Sequence, residues 1–248
     1  MKTITSRQNP EIITASALAN PKERAIQKRF IAEGSRTIAT LLASPLKLLQ
    51  LYVSESLVAT AQTLTSDAHI TLVSDSVMEK LSQASSPSGI VGIFSIPAEP
   101  SAAQLSSGIV LARISDPGNM GTLIRTCAAL DLKSVVVIEG VDPWNPKVIQ
   151  ASAGTIGHVN IFRWDWETVI KNKARLLLYA LTISGGQNPS TINRDNALII
   201  VGNEADGIPD AWINECDATI TLEMANHVES LNAAVAGSIA LYAACKKI

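Results

Sequence analysis

Residues 109–126 read IVLARISDPGNMGTLIRT. Residues 109–114 are of strand length and apolar except for Arg113. The SDPG that follows at 115–118 breaks the run, and Pro117 with Gly118 makes a turn. A helix is predicted to start near Asn119 or Met120, with Asn119 as its N-cap. Arg125 then falls on the second turn of that helix, and long helical side chains lean toward the helix N-terminus. A guanidinium beside unpaired helix N–H groups suits a phosphate or another anion. Taken alone, the stretch is equally satisfied by a helix cap and a surface salt bridge.

The same alternation continues to the end of the chain. Strands are predicted at 134–138, 159–162, 176–181, 197–201 and 219–222, with helical segments between most of them. The runs at 135–138, 176–181 and 197–201 are continuously apolar and do not alternate, as expected of strands covered on both sides. Residues 108–248 therefore read as an α/β domain, a parallel sheet with helices on both faces. Ligands of such sheets sit beyond the carboxyl ends of the strands. Beyond 197–201 the chain reads GNEADG at 202–207, a glycine-bounded turn that presents Glu204. A phosphate-binding P-loop needs Lys and then Ser or Thr after its second glycine. Ile208 and Pro209 stand there, which excludes that reading. The dinucleotide fingerprint G-x-G-x-x-G occurs nowhere. A plain turn, with Glu204 balancing a neighbouring arginine, also accounts for this loop. Beyond 219–222, MANHVESLN at 224–232 runs into a helix rich in Ala, Gly and Ser. Ser230 is expected to cap that helix, and Leu231, Val235, Ile239 and Tyr242 form its larger apolar stripe.

Residues 97–107, PAEPSAAQLSS, have the composition of a linker. They divide the chain into residues 1–97, a linker at 98–107, and residues 108–248. In the first part, 22–42 reads as one helix with Ile26, Phe30, Ile38 and Leu41 at roughly helical spacing. Strands are predicted at 48–54, 70–73 and 90–96, with a short helix at 76–81. This is the pattern of a small α/β domain.

Hydrophobic residues make up 47% of the 248 and charged residues 17%, which excludes a disordered chain. No apolar run approaches the ~18–20 residues of a membrane span, so no membrane partner is expected. MKTITSRQNPEII lacks a signal-peptide core, and a cytoplasmic protein follows. Cys127, Cys216 and Cys245 are odd in number and widely spaced, as buried thiols would be, and the three histidines show no metal-ligand spacing. The net charge of −2 does not announce a nucleic-acid binder, but its distribution is uneven. Residues 1–36 hold seven basic and three acidic residues, a local +4, whereas residues 98–248 hold 11 basic and 15 acidic, a local −4. A polyanion would meet the N-terminal segment first.

The three loops together are more specific than any one of them. N-x-G-x-x-x-R after the first strand, G-N-E-x-x-G after a late strand and E-S-L-N opening a small-residue helix resemble the SpoU branch of the SPOUT methyltransferase superfamily. The likeness covers about residues 107–248. Ile4, Thr5, Ser6, Asn9, Pro10, Lys22, Arg24, Phe30, Glu33, Gly34, Arg36 and the PSGIV at 87–91 are similar to that family's RNA substrate-binding domain, which itself resembles certain RNA-binding ribosomal proteins. The sequence departs from many relatives at Asn226, where they carry Gly, and at Ala233 and Ala234, where they carry Val and Ser.

The resemblance implies a trefoil knot in the parallel sheet and a homodimer formed partly through the last helix. It implies S-adenosylmethionine as cofactor, held by main-chain groups around Thr182, Gly202, Leu222 and Leu231, and no metal. The implied reaction is methylation of a ribose 2′-hydroxyl in RNA. The two-domain layout favours ribosomal RNA over transfer RNA, and a non-catalytic RNA-binding or assembly protein is the alternative of a different class. The implied catalytic set is Arg125 with Asn119, Glu204, Ser230 and Asn232. The implied RNA-binding set is Arg7, Lys22, Arg24, Lys28 and Arg36. Arg125 has the family role of general base. A guanidinium, which stays charged, is better suited to hold a phosphate and a developing alkoxide.

Overall fold

The computed structural model describes residues 1–225 and 230–245. The chain forms two compact units. One comprises Met1–Ala98 with Trp144–Gly157, the other Glu99–Pro143 with His158–Ile248.

The first unit is built on strands β1 (Lys2–Ile4), β2 (Arg29–Glu33), β3 (Leu48–Val53), β4 (Ile70–Val73) and β5 (Ile90–Ser95). Its helices include α1 (Pro10–Ser16), α2 (Pro21–Gln27), α3 (Ser35–Leu42), α4 (Val58–Leu64) and α5 (Asp75–Leu81). The strand order is β1-β4-β3-β5-β2, with β1, β4 and β3 parallel and β5 antiparallel to both β3 and β2. Ile12, Ala15 and Leu18 pack with Ile31, Tyr52, Val91 and Ile93 on one face of this sheet.

The helix expected over 22–42 is instead a helix, a strand and a helix. Lys28 ends α2 in the left-handed conformation, with φ of 52°, so the helical path stops there. Phe30, Ile31 and Ala32 are consecutively buried, as a strand covered on both faces requires. Ile26, placed on the apolar face of the expected helix, is 74% exposed.

The second unit carries β6 (Gly108–Ala112), β7 (Ser134–Ile138), β8 (Asn160–Arg163), β9 (Leu177–Thr182), β10 (Ala197–Val201) and β11 (Ala218–Thr221). All six predicted strands are present, and every pairing is parallel. The order is β11-β9-β10-β6-β7-β8, and the sheet is flanked by helices. β6, β7 and β10 are buried along their whole length, the physical basis of their continuous apolar runs. The helices of this half are α6 (Pro117–Ala129), α7 (Pro146–Ala151), α8 (Trp166–Asn172), α9 (Asp210–Ile213) and α10 (Ala233–Cys245).

Of these, α7 belongs to the first unit, where it packs on β2. The Trp144 ring lies 5.0 Å from that of Phe30, which stacks on Phe94 at 5.6 Å. In the second unit, α10 packs against α6 and β10. A Cβ at Gly237 would stand 2.6 Å from Leu123 Cδ2 and 2.9 Å from Val201 Cγ2, so glycine sets how closely α10 approaches.

Candidate active site

Because the strands are parallel, the carboxyl ends of β6, β10, β9 and β11 open on the same edge of the sheet, and these four strands are neighbours there. A cleft of about 490 Å³ lies at that edge. Thr182, Gly202, Leu222 and Leu231, the four expected cofactor residues, all line it, as do Glu204, Ser230 and Asn232. Asn226 and Glu229 of the third loop lie outside the described residues.

The loop after β10 is shaped by its own backbone. Asn203 and Gly207 exchange main-chain hydrogen bonds of 3.2 and 3.0 Å. A Cβ at Gly202 would sit 2.3 Å from the carbonyl carbon of Gly207, so only glycine fits the turn. The Asn203 side chain locks the loop, because Nδ2 donates to the Arg113 carbonyl at 2.8 Å while Oδ1 accepts from Ala205 N at 2.8 Å. Asn203 is not among the site residues expected from the sequence. Its position inside the G-N-E stretch was the available signal.

Three side chains then join three loops. Asn119 donates from Nδ2 to Glu204 Oε1 and accepts at Oδ1 from Asn232 Nδ2 at 3.1 Å. Ser115 Oγ lies 3.5 Å from the other Glu204 oxygen. Neither Asn119 nor Ser230 is the helix cap that the sequence suggested. Helix α6 starts at Pro117, and Asp116 Oδ1 caps it by accepting from Asn119 N at 2.7 Å. Asn232 caps α10, accepting at Oδ1 from Ala234 N at 2.9 Å and Val235 N at 3.2 Å. Both helix starts thus leave Asn119 free to bridge the loops by its side chain, and Asn232 does two jobs with one amide.

Arg125 lies on the third turn of α6 rather than the second, since the helix begins earlier than expected. Six residues, about 9 Å of helical rise, separate it from Asn119. Its side chain is exposed and outside the cleft lining, and among the described residues it makes no hydrogen bond or ion pair. A cation held in water without a protein partner is available to a polyanion.

The last helix inverts its expected packing. Ala234, Gly237, Ala240 and Leu241 face inward, while Val235 (47% exposed), Ile239 (44%) and Tyr242 (55%) face solvent. On the first unit, Arg7, Lys22, Lys28 and Arg36 are exposed, and Arg7 stands 3.7 Å from Glu79. Arg24 differs from the expectation. It is 1% exposed and donates to the carbonyls of Leu18 and Ala19 at 2.8 and 2.9 Å, holding the turn between α1 and α2 instead of facing an RNA. Among the described residues no helix is long and apolar enough to cross a membrane.

Comparison with known proteins gives the family. Residues 106–242 match the SpoU rRNA methylase family, and residues 1–92 match the MRM3-like substrate binding domain. The chain is 26% identical to the 23S rRNA (guanosine(2553)-2′-O)-methyltransferase RlmP of Bacillus subtilis, over 98% of both chains. A crystal structure of an RNA 2′-O ribose methyltransferase superposes with a TM-score of 0.81 at 30% identity, covering 98% of this chain and 97% of that one. An AdoMet-bound rRNA methyltransferase from Sinorhizobium meliloti superposes with a TM-score of 0.86 at 26% identity, over 98% and 97%. The protein belongs to the SpoU rRNA methylase family.

Proposed function

We propose that this protein methylates a ribose 2′-hydroxyl of ribosomal RNA with S-adenosylmethionine as donor. The observation that carries the reading is the side-chain bridge from Asn232 through Asn119 to Glu204, which ties three loops at the rim of one cleft. Met1–Ala98 with Trp144–Gly157 captures the RNA, and Glu99–Pro143 with His158–Ile248 performs the transfer. The strand order, with β10 inserted between β9 and β6, suits the trefoil knot of the superfamily.

The cleft suits the donor on its own terms. Glu204 and Asp206 place carboxylates in a lining that also holds Leu222, Met224 and Leu231, which fits a ligand bearing both positive charge and apolar surface. Among the described residues the main-chain groups of Met224 and Leu231 make no hydrogen bond, so they are open to a ligand. When bound, S-adenosylmethionine supplies a methyl group activated by the adjacent sulfonium. The chain's own residues align the acceptor, and alignment alone reaches effective molarities of ~10⁵ M or more. Arg125 holds the phosphate beside the target ribose and stabilises the oxygen as it loses its proton. Asn119 and Glu204 keep the loops after β6 and β10 in register, and Ser230 and Asn232 line the ribose side. The exposed Val235, Ile239 and Tyr242 are covered by the same helix of a second copy, which makes the protein a homodimer.

Ribose-methylation mapping of the host's RNAs, with and without the protein, tests the reading. One ribosomal RNA site should lose its methyl group in the absence of the protein and regain it with purified protein and S-adenosylmethionine. An unchanged ribosomal RNA map, or no heat of S-adenosylmethionine binding, would refute it.

A further inference from the structure

The first unit holds a cleft of about 480 Å³ that methyl transfer does not use. It opens where α1 and the end of α2 meet β2, β3 and β5. A β-bulge between Leu48 and Gln50 shifts the register of β3 against β5. Bulges re-aim side chains, and here both Leu49 and Gln50 enter the lining. Leu49 and Ile93 give the cleft apolar surface, and Glu11, Thr14, Gln27, Arg29 and Tyr52 give it polarity.

Chemistry fixes which way the two amides point. Gln50 Nε2 faces the main-chain oxygen of His69 at 2.8 Å and Thr71 Oγ1 at 2.8 Å. Gln27 Nε2 faces Glu23 Oε2 at 3.1 Å and the main-chain oxygen of Thr14 at 3.4 Å. Carbonyl and carboxylate oxygens only accept, so the amide nitrogens must face them. Both Oε1 atoms are left without a donor among the described residues. Glu11 is a third acceptor. It already takes the Tyr52 hydroxyl at 3.1 Å and Lys2 Nζ, and a carboxylate has further lone pairs to offer. Arg29 is exposed and makes no ion pair among the described residues.

An acceptor-rich, partly apolar cleft with an arginine beside it matches a flat ring that carries N–H donors and a phosphate. Unpaired bases of RNA are read in this manner, by contacts to their faces and hydrogen bonds to their edges. Guanine presents its ring N–H and its amino group side by side. Uracil presents one N–H between two carbonyls, which would face these acceptors unfavourably. We infer that the cleft takes an unpaired guanine of the RNA, with Gln27 and Gln50 accepting from its N–H edge and Arg29 on its phosphate. This rests on RNA being the substrate and deepens that reading.

Fluorescence anisotropy with the full chain tests it, using labelled single-stranded octamers of uridine with and without one central guanosine. The guanosine octamer should bind roughly tenfold tighter, the worth of one or two good hydrogen bonds. Gln27→Leu combined with Gln50→Leu should erase the difference while uridine-octamer affinity persists. Thr14→Trp plugs the cleft from an exposed position and should erase it as well, which keeps the test sound if the double variant misfolds. Equal affinity of the unaltered protein for both octamers, or a preference that survives Thr14→Trp, overturns the inference. Calorimetry with S-adenosylmethionine on the same preparation separates the two readings. Missing cofactor binding beside an intact guanosine preference counts against methyl transfer alone.

Discussion

Asn232 donates to Asn119 across 3.1 Å, joining residues 113 apart in the chain. Since Asn119 also donates to Glu204, a single amide couples the first turn of α6 to the loop after β10 and to the start of α10. Asn119→Asp removes the donor and sets a second carboxylate against Glu204. Turnover should fall at least about tenfold, or about 1.4 kcal/mol of barrier. Single-turnover methylation measures this, and an unchanged rate would detach the bridge from catalysis.

Arg125 distinguishes two roles by substitution. Arg125→Ala should abolish turnover while calorimetry shows S-adenosylmethionine still binding, because the side chain lies outside the cleft lining. Arg125→Lys keeps the charge but loses the planar fork, and the rate should drop about tenfold or more with the pH profile unmoved. A general base would behave in the opposite way. Lysine, with a pKa of ~10.4, gives up its proton more readily, so activity would rise with pH.

Gly202→Ala forces a methyl group against the Gly207 backbone at 2.3 Å. Backbone cannot yield as a flexible side chain does, and the loop should shift at a cost of about 1–3 kcal/mol. A lower Tm together with weaker S-adenosylmethionine binding is the expected pair of results. A lower Tm alone would show that the turn matters only for stability.

Acid sensitivity has an identifiable contributor in Asp217. Burial pushes its carboxyl up, but hydrogen bonds from Lys173 and the Leu178 amide, with the Lys173 charge, outweigh that and hold it below the usual range. A depressed folded pKa means stability that is present above the unfolded value of ~3.9 and lost as pH falls through the folded one. Asp217→Asn should therefore cost about 1 kcal/mol at neutral pH, after allowance for partial exposure. The difference from the unaltered protein should close below about pH 4. Urea titrations at the two pH values read this directly, and a constant gap would exclude the carboxylate as its source.

Val235→Glu with Ile239→Glu places two charges on the outer face of α10. Sedimentation should show a dimer converted to a monomer, with the far-ultraviolet circular dichroism preserved. A variant that remains dimeric would move the interface elsewhere.

The central strands β6, β7 and β10 were legible because double-sided burial leaves a nearly unbroken apolar run, as at 197–201. Their lateral order was not, since nothing local in β10 states that it lies between β9 and β6. The misread helix over 22–42 has a similar cause. Phe30, Ile38 and Leu41 are all buried, and their spacing imitates a helical stripe, but two separate elements supply them. The choice of caps also escaped local reading. Asp116 and Asn119 both have capping chemistry, and what decides between them is that Asn119 has distant partners to bridge. The lining of the cleft beyond β9, β10 and β11 was readable because its parts are contiguous motifs. The cleft in the first unit draws single polar residues from distant segments, and no motif marks it.

Trp144–Gly157 folds with the first unit although it lies inside the stretch matched by the methylase family. The polypeptide therefore passes between the units three times, after Ala98, Pro143 and Gly157. A cut in the apparent linker would not yield a whole module. It would strip Phe30 of the indole that covers it and leave a fragment with an exposed apolar scar. Swapping target recognition between relatives by exchanging only the first hundred codons should yield chimeras prone to aggregation, because one graft must carry two separate pieces of gene.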